Sequence, residues 1–106
     1  MAGVYSVPFI TAEPAGGGSA SYTVPAGNTA IIKTFSVLTT EAAAGTTLAT
    51  LEINGAPVWA LVATGGSGTA SELVNCSIAV EAGQVIKVLA GATFTGWFVG
   101  GYLLDD

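Results

Sequence analysis

The side chains that could do chemistry in this sequence are few. There is no histidine, one cysteine (Cys76), two lysines (Lys33 and Lys87) and no arginine. Without an imidazole there is no histidine metal ligand and no general base to activate a thiol or hydroxyl, and one thiol cannot build a zinc cage. Cys76 lies in the strand-like run Leu73-Val74-Asn75-Cys76-Ser77-Ile78-Ala79-Val80, where a free cysteine ordinarily serves as a small buried hydrophobe. The carboxylates are scattered: Glu13, Glu41, Glu52, Glu72, Glu81, Asp105 and Asp106. Only the last two are adjacent, at positions where chains fray, so the paired carboxylates of a glycosidase are not indicated. Thr64-Gly65-Gly66-Ser67-Gly68-Thr69 has the glycines of a phosphate-cradling loop but neither the lysine nor the following helix. No catalytic residue, metal ligand or cofactor site is expected. The aromatic rings Tyr5, Tyr22, Trp59, Trp97 and Tyr102 leave three roles open: core packing, a subunit interface, or stacking on a sugar.

The elements that must position these groups are strands. Charged residues make up 8% of the 106 residues against 51% apolar ones, where a soluble domain carries roughly 25% charged. A core is easy to build from such a chain, but its exterior has few charges to cover it. A surface covered by partners is therefore expected. The net charge of −5 and the two isolated lysines exclude phosphate-neutralising nucleic-acid binding and attraction to an anionic membrane. Met1–Ile10 lacks the basic and long apolar regions of a signal peptide, and no run approaches the roughly 20 apolar residues of a membrane helix. Synthesis in a cytoplasm is the expectation.

The chain is organised around Ser21–Val37: a short strand, a corner at Pro25-Ala26-Gly27-Asn28, and a long strand. Pro25 holds Val24 extended, and Gly27 and Asn28 tolerate the positive φ of the reversal. In the long strand Ile32 is followed by Phe35 and Val37, a change of parity that predicts a bulge near Lys33-Thr34. A loop is expected over Thr39–Gly45. Ala49, Leu51 and Ile53 then alternate with polar residues, and Asn54-Gly55 predicts a tight hairpin into Pro57–Ala63. Val74, Cys76, Ile78 and Val80 form one apolar face. Glu81-Ala82-Gly83-Gln84 is a turn into Val85–Ala90, Gly91-Ala92 is another, and Phe94–Leu104 is apolar on both faces. No useful amphipathic helix appears. Seven to eight strands with turns every 8–12 residues predict an all-β, antiparallel, jelly-roll-like sandwich. The histidine-built metal site of cupins, which share that architecture, is excluded.

Residues 1–18 read differently from the domain proper, 19–106. Val4–Ile10 is apolar and extended but interrupted by Pro8, so it is an edge strand or an extended N-terminal arm. The linker Glu13–Gly18 is glycine-rich. The segment either folds back on its own sheet or reaches a neighbouring subunit, and Val4, Tyr5, Phe9 and Ile10 are candidate contact residues in the second case. Trp59, Trp97, Phe98 and Tyr102 complete the candidate interface, with the last strand as the expected self-association contact.

Tyr22–Asn28, Thr29–Val37 and Glu81–Val88 resemble paired motifs of small tailed-bacteriophage virion proteins, over about Tyr22 to Leu103. These pair a Tyr-Thr-Val-Pro-Ala-Gly corner and a Thr-Ala-Ile-Ile-Lys-Thr-Phe-Ser-Val strand with a late acidic-Ala-Gly-Gln turn. The resemblance implies a structural protein located in the virion. The first reading is a decoration (cement) protein, as a homotrimer, bound to the major capsid protein or another virion protein. Neck, tail or head-fibre components and a carbohydrate-binding receptor module are the alternatives.

Overall fold

The computed structural model describes residues 4–12, 18–40, 46–64, 69–90 and 95–105, and among these there are eight strands and no helix. They are β1 (Val4–Ala12), β2 (Ser19–Thr23), β3 (Asn28–Thr40), β4 (Thr46–Ile53), β5 (Ala56–Thr64), β6 (Thr69–Val80), β7 (Val85–Leu89) and β8 (Thr95–Asp105). Two antiparallel four-stranded sheets, β1-β8-β3-β6 and β2-β7-β4-β5, face each other in jelly-roll order. Thr39 and Thr40, expected in a loop, end β3, and Thr64 and Thr69 belong to β5 and β6. The rest of the expected loops and turns, 13–17, 41–45, 65–68 and 91–92, lie outside the described residues, as does Phe94, the expected start of the last strand.

The core follows the alternation of the sequence. Ile32, Phe35 and Val37 of β3, Ala49 and Leu51 of β4, Ile86 and Val88 of β7, and Trp97 and Val99 of β8 are all buried between the sheets. Three turns carry the chain between strands as their residues dictate. Asn54 and Gly55 both adopt positive φ, 51° and 87°, which a two-residue hairpin between right-twisted strands requires. The other two cross between the sheets. In Pro25–Asn28 the Asn28 amide donates to the Pro25 carbonyl at 3.2 Å, and Gly27, not Asn28, takes the positive φ of 81°. In Glu81–Gln84 the Gln84 amide donates to the Glu81 carbonyl at 3.1 Å, and Gly83 has φ 84°. These two corners meet: the Val24 amide donates to the Gln84 carbonyl (3.0 Å) and the Gly83 amide to the Val24 carbonyl (2.9 Å).

The bulge predicted at Lys33-Thr34 is present. Ile32 pairs with Gly101 and Thr34 with Gly100, so Lys33 is the extra residue against β8. The irregularity runs across the whole sheet. Phe9 is extra in β1 opposite Gly100 and Val99, and the β6 register shifts between Ile78 and Asn75. The β3 backbone presses on β8 at this line. A Cβ on Gly101 would overlap the Ile31 carbonyl oxygen and stand 2.9 Å from its carbon and 3.0 Å from the Lys33 nitrogen.

The fold takes one of the two courses left open for the N-terminal segment and corrects the expectation for the last strand. The N-terminal segment is β1, an edge strand of the domain's own sheet, paired with β8 from Val4↔Leu104 to Ala12↔Trp97. Pro8 sits in this edge strand, opposite Gly100 and beside the register shift, the positions in a sheet that tolerate proline. Phe9 and Ile10 are 6% and 4% exposed in the core, and the Phe9 ring packs on Tyr22 at 5.1 Å, so neither is available to a neighbouring subunit. The last strand, β8, lies between β1 and β3. Both its edges are used, so only its outward side chains can reach a partner.

Candidate functional site

The two sheets present different faces to the outside. In an antiparallel pair directly opposite residues point to the same side. The outer face of β2-β7-β4-β5 is mixed: Ser19, Ser21, Thr23, Lys87, Thr50 and Glu52 share it with Val85, opposite Thr23, and Leu89, opposite Ser19 and Thr50, both half-buried. Lys87 stands opposite Ser21 on one side and Glu52 on the other. Val58, on the edge strand β5, is the strongly exposed large apolar residue of that sheet among those described.

The outer face of β1-β8-β3-β6 is apolar at one end. Thr11, Phe98, Ser36 and Leu73 form one row across its four strands, and Gly96, Leu38 and Ser71 form the next. Leu73 is 66% exposed, Leu38 52% and Phe98 36%. With Thr11, Ser36 and Ser71 they line an open groove of about 800 Å³. The Phe98 ring lies flat along the sheet because Gly100 leaves room for it: a Cβ on Gly100 would meet ring carbons at 2.6 and 2.8 Å. Beyond the ring, Pro8, Lys33, Thr34, Gly100 and Tyr102 line a smaller hollow of about 340 Å³.

The candidate interface residues therefore separate. Phe98 and Tyr102 are on the outer face. Trp97 is 3% exposed, and its indole nitrogen donates to the Leu89 carbonyl of the opposite sheet at 3.3 Å. Trp59 is half-buried against the core. Phe35, Trp59 and Trp97 make an aromatic cluster bridging the sheets, with Phe35–Trp59 at 5.0 Å and Trp59–Trp97 at 6.0 Å, both edge-to-face. Phe35 and Trp97 are thereby enclosed, while Trp59, half-buried on the edge strand β5, keeps part of its surface exposed. Val4 and Tyr5 are placed in β1 opposite Leu104 and Leu103, with side chains outside the description. Leu38 and Leu73 were missed. Their signal was positional: each is a large apolar residue out of phase with the inward parity of its strand.

Cys76 does not form part of this face. Its thiol donates to the Ile32 carbonyl at 3.5 Å. Burial pushes its pKa up, against a smaller lowering by the Lys33 ammonium. Thiolate is the nucleophilic form, so alkylation by iodoacetamide at pH 8 should be many-fold slower in the native protein than in the chain unfolded in urea. Equal rates would show an open, ordinary thiol. No three of His, Cys, Asp and Glu come together in a metal-holding group among the described residues.

No protein-family profile matches the chain, and no curated protein matches it. Among solved structures it is similar to the Agl-KA catalytic domain (TM-score 0.49, 14% identity, 99% of this chain and 25% of that one). The chain thus spans a quarter of that protein's length. It is also similar to a family 35 carbohydrate-binding module from an environmental isolate (TM-score 0.45, 16% identity, 98% and 93% covered). A third likeness is to the CBM36-1 domain of a multidomain xylanase from the hindgut metagenome of Trinervitermes trinervoides (TM-score 0.44, 11% identity, 100% and 98% covered).

Proposed function

We propose that the chain is a structural protein without catalytic activity that docks on a protein lattice through the outer face of β1-β8-β3-β6, and that the lattice is the shell of a tailed-bacteriophage capsid. The observation that carries the docking part is the asymmetry between the faces. Leu38, Leu73 and Phe98 are exposed together on one sheet, while among the described residues of the other sheet only Val58, on its edge strand, is a comparably exposed large apolar side chain. A contiguous apolar patch of this kind is characteristic of protein interaction sites. The groove is lined by hydroxyls and apolar groups with Glu72 at its rim, so it suits a partner surface that is itself apolar and weakly charged. The capsid assignment rests on the sequence resemblance of Tyr22–Val37 and Glu81–Val88.

The test is binding of the purified protein to isolated shells that lack it. The double variant Leu38→Ser/Phe98→Ser removes the anchors while sparing every core residue. Its circular dichroism and melting point should stay close to those of the unchanged protein, and its shell affinity should fall at least about tenfold. Unchanged affinity would remove this face from the attachment. A few copies at a single vertex, against hundreds over the shell, would transfer the protein to the neck or tail. Glycan binding abolished by Phe98→Ser would favour the receptor-module alternative, although Trp97 is enclosed in the core cluster and Trp59 is half-buried against it.

A further inference from the structure

The four edge strands of the sandwich are not equally protected. β1 carries Pro8 and the Phe9 bulge, β2 has five residues, and β5 carries Pro57 with Val58 as an extra residue against β4. These are the ordinary devices that stop an edge from recruiting another chain. β6 lacks the proline and the shortness, and its one such device is the extra residue against β3 at Cys76–Ser77. It is 12 residues long, hydrogen-bonded only to β3, free of proline, and charged only at Glu72. Its side chains also alternate without interruption through the register shift. Leu73, Asn75, Ser77 and Ala79 are exposed, whereas Val74, Cys76 and Ile78 are half-buried and packed on the core. Those three inward residues are incompletely covered because the sheet ends beside them.

We propose that β6 pairs antiparallel with β6 of a second copy about a two-fold axis at Cys76, joining two β1-β8-β3-β6 sheets into one of eight strands. The strand is self-complementary about that residue and about no neighbouring one. With Cys76 facing Cys76 of the second copy, Val74 faces Ile78, Asn75 faces Ser77 and Leu73 faces Ala79. Between Leu73 and Ala79 apolar thus meets apolar on the inner face, and on the outer face amide meets hydroxyl and leucine meets alanine. A two-fold axis centred at Asn75 sets Leu73 against Ser77. One centred at Ser77 sets Asn75 against Ala79. Any register offset by one residue places inward side chains opposite outward ones. The proposed register puts Glu72 opposite Val80 and keeps the two Glu72 carboxylates about 26 Å apart at roughly 3.3 Å per residue, beyond the screening length. The interface is isologous, as a two-fold contact must be. Its product is a dimer with both Leu38–Leu73–Phe98 patches on one face, in place of the trimer expected from the sequence. The inference does not depend on the identity of the lattice.

Sedimentation equilibrium tests it with charges placed at Asn75 and Ser77, both exposed and outside the core. The unchanged protein should sediment as a dimer at tens of micromolar. Asn75→Lys/Ser77→Lys sets lysine opposite lysine at both pairs and should yield a folded monomer, at least about tenfold weaker in association. Asn75→Lys/Ser77→Glu sets lysine opposite glutamate at both pairs and should restore the dimer. Circular dichroism checks that both variants fold. A monomeric or trimeric unchanged protein, or two double variants of equal association, overturns the proposal.

Discussion

Gly101→Ala should abolish the cooperative folding of this protein or weaken it by about 3 kcal/mol or more, among the largest effects of a single methyl group. The reason is local to the bulge line. Lys33 is the extra residue of β3 opposite the Gly100–Gly101 step, so the β3 backbone is pushed towards β8. A Cβ at Gly101 overlaps the Ile31 carbonyl oxygen, and its other near neighbours are also backbone atoms. No rotamer change relieves that, so either the bulge or the β3–β8 ladder has to open. Two neighbouring glycines supply the controls. At Gly100 the obstruction is the Phe98 ring, which can swing outward, so Gly100→Ala should be destabilising but tolerated. At Gly96 the nearest atom to a new Cβ is the Leu38 carbonyl oxygen at 3.8 Å, an ordinary contact. Alanine loses less backbone entropy than glycine on folding, so Gly96→Ala should be neutral or stabilising by up to about 1 kcal/mol. Denaturant titrations of the three variants should rank Gly96→Ala, Gly100→Ala, Gly101→Ala from most to least stable. A Gly101→Ala protein within about 1 kcal/mol of the unchanged one would refute the bulge geometry.

Deleting residues 1–12 should leave a protein that does not fold. The deletion removes β1, which pairs along β8 from Val4 to Ala12, and with it the buried side chains of Phe9 and Ile10. Each large apolar side chain contributes about 1.5–3 kcal/mol by burial. The deletion also uncovers Tyr22, which loses the Phe9 ring, and turns β8 into an unprotected edge. Those losses together rival the 5–15 kcal/mol that hold a typical domain folded. The measurement is the thermal transition of the truncated chain by circular dichroism. An arm that serves only a neighbouring subunit gives the opposite result: a melting point within a few degrees of the full chain and a loss confined to binding. The outcome therefore decides whether the N-terminal segment is part of the fold or an attachment device.

The strand pattern was legible because its causes are local. Asn54-Gly55 forms its hairpin because both residues tolerate positive φ, and the corners at Gly27 and Gly83 obey the same rule. The Lys33 bulge could be read from the spacing of Ile32, Phe35 and Val37, because side chains alternate sides and a core face cannot skip parity without an extra residue. The docking face was only partly legible. Phe98 and Tyr102 were among the candidates, but so were Phe9, Ile10, Trp59 and Trp97, which the core absorbs wholly or in part. β8 is apolar on both faces, so its own alternation does not say which face turns inward.

By itself, then, the sequence determined an antiparallel β-sandwich, its bulge and its three glycine turns, and it excluded imidazole chemistry. These follow from dihedral preference and period two, which act over a few residues. Only the tertiary structure decided that Val4–Ala12 closes against β8, that the two tryptophans meet Phe35 between the sheets, and that Leu38, Leu73 and Phe98 gather on one outer face. Each of those depends on pairing residues far apart in the chain, such as Val4 with Leu104 or Ser36 with both Leu73 and Phe98. Hydrophobic burial drives such pairings but is non-directional. It requires that an apolar strand find cover, while strand order and register determine which strand covers it.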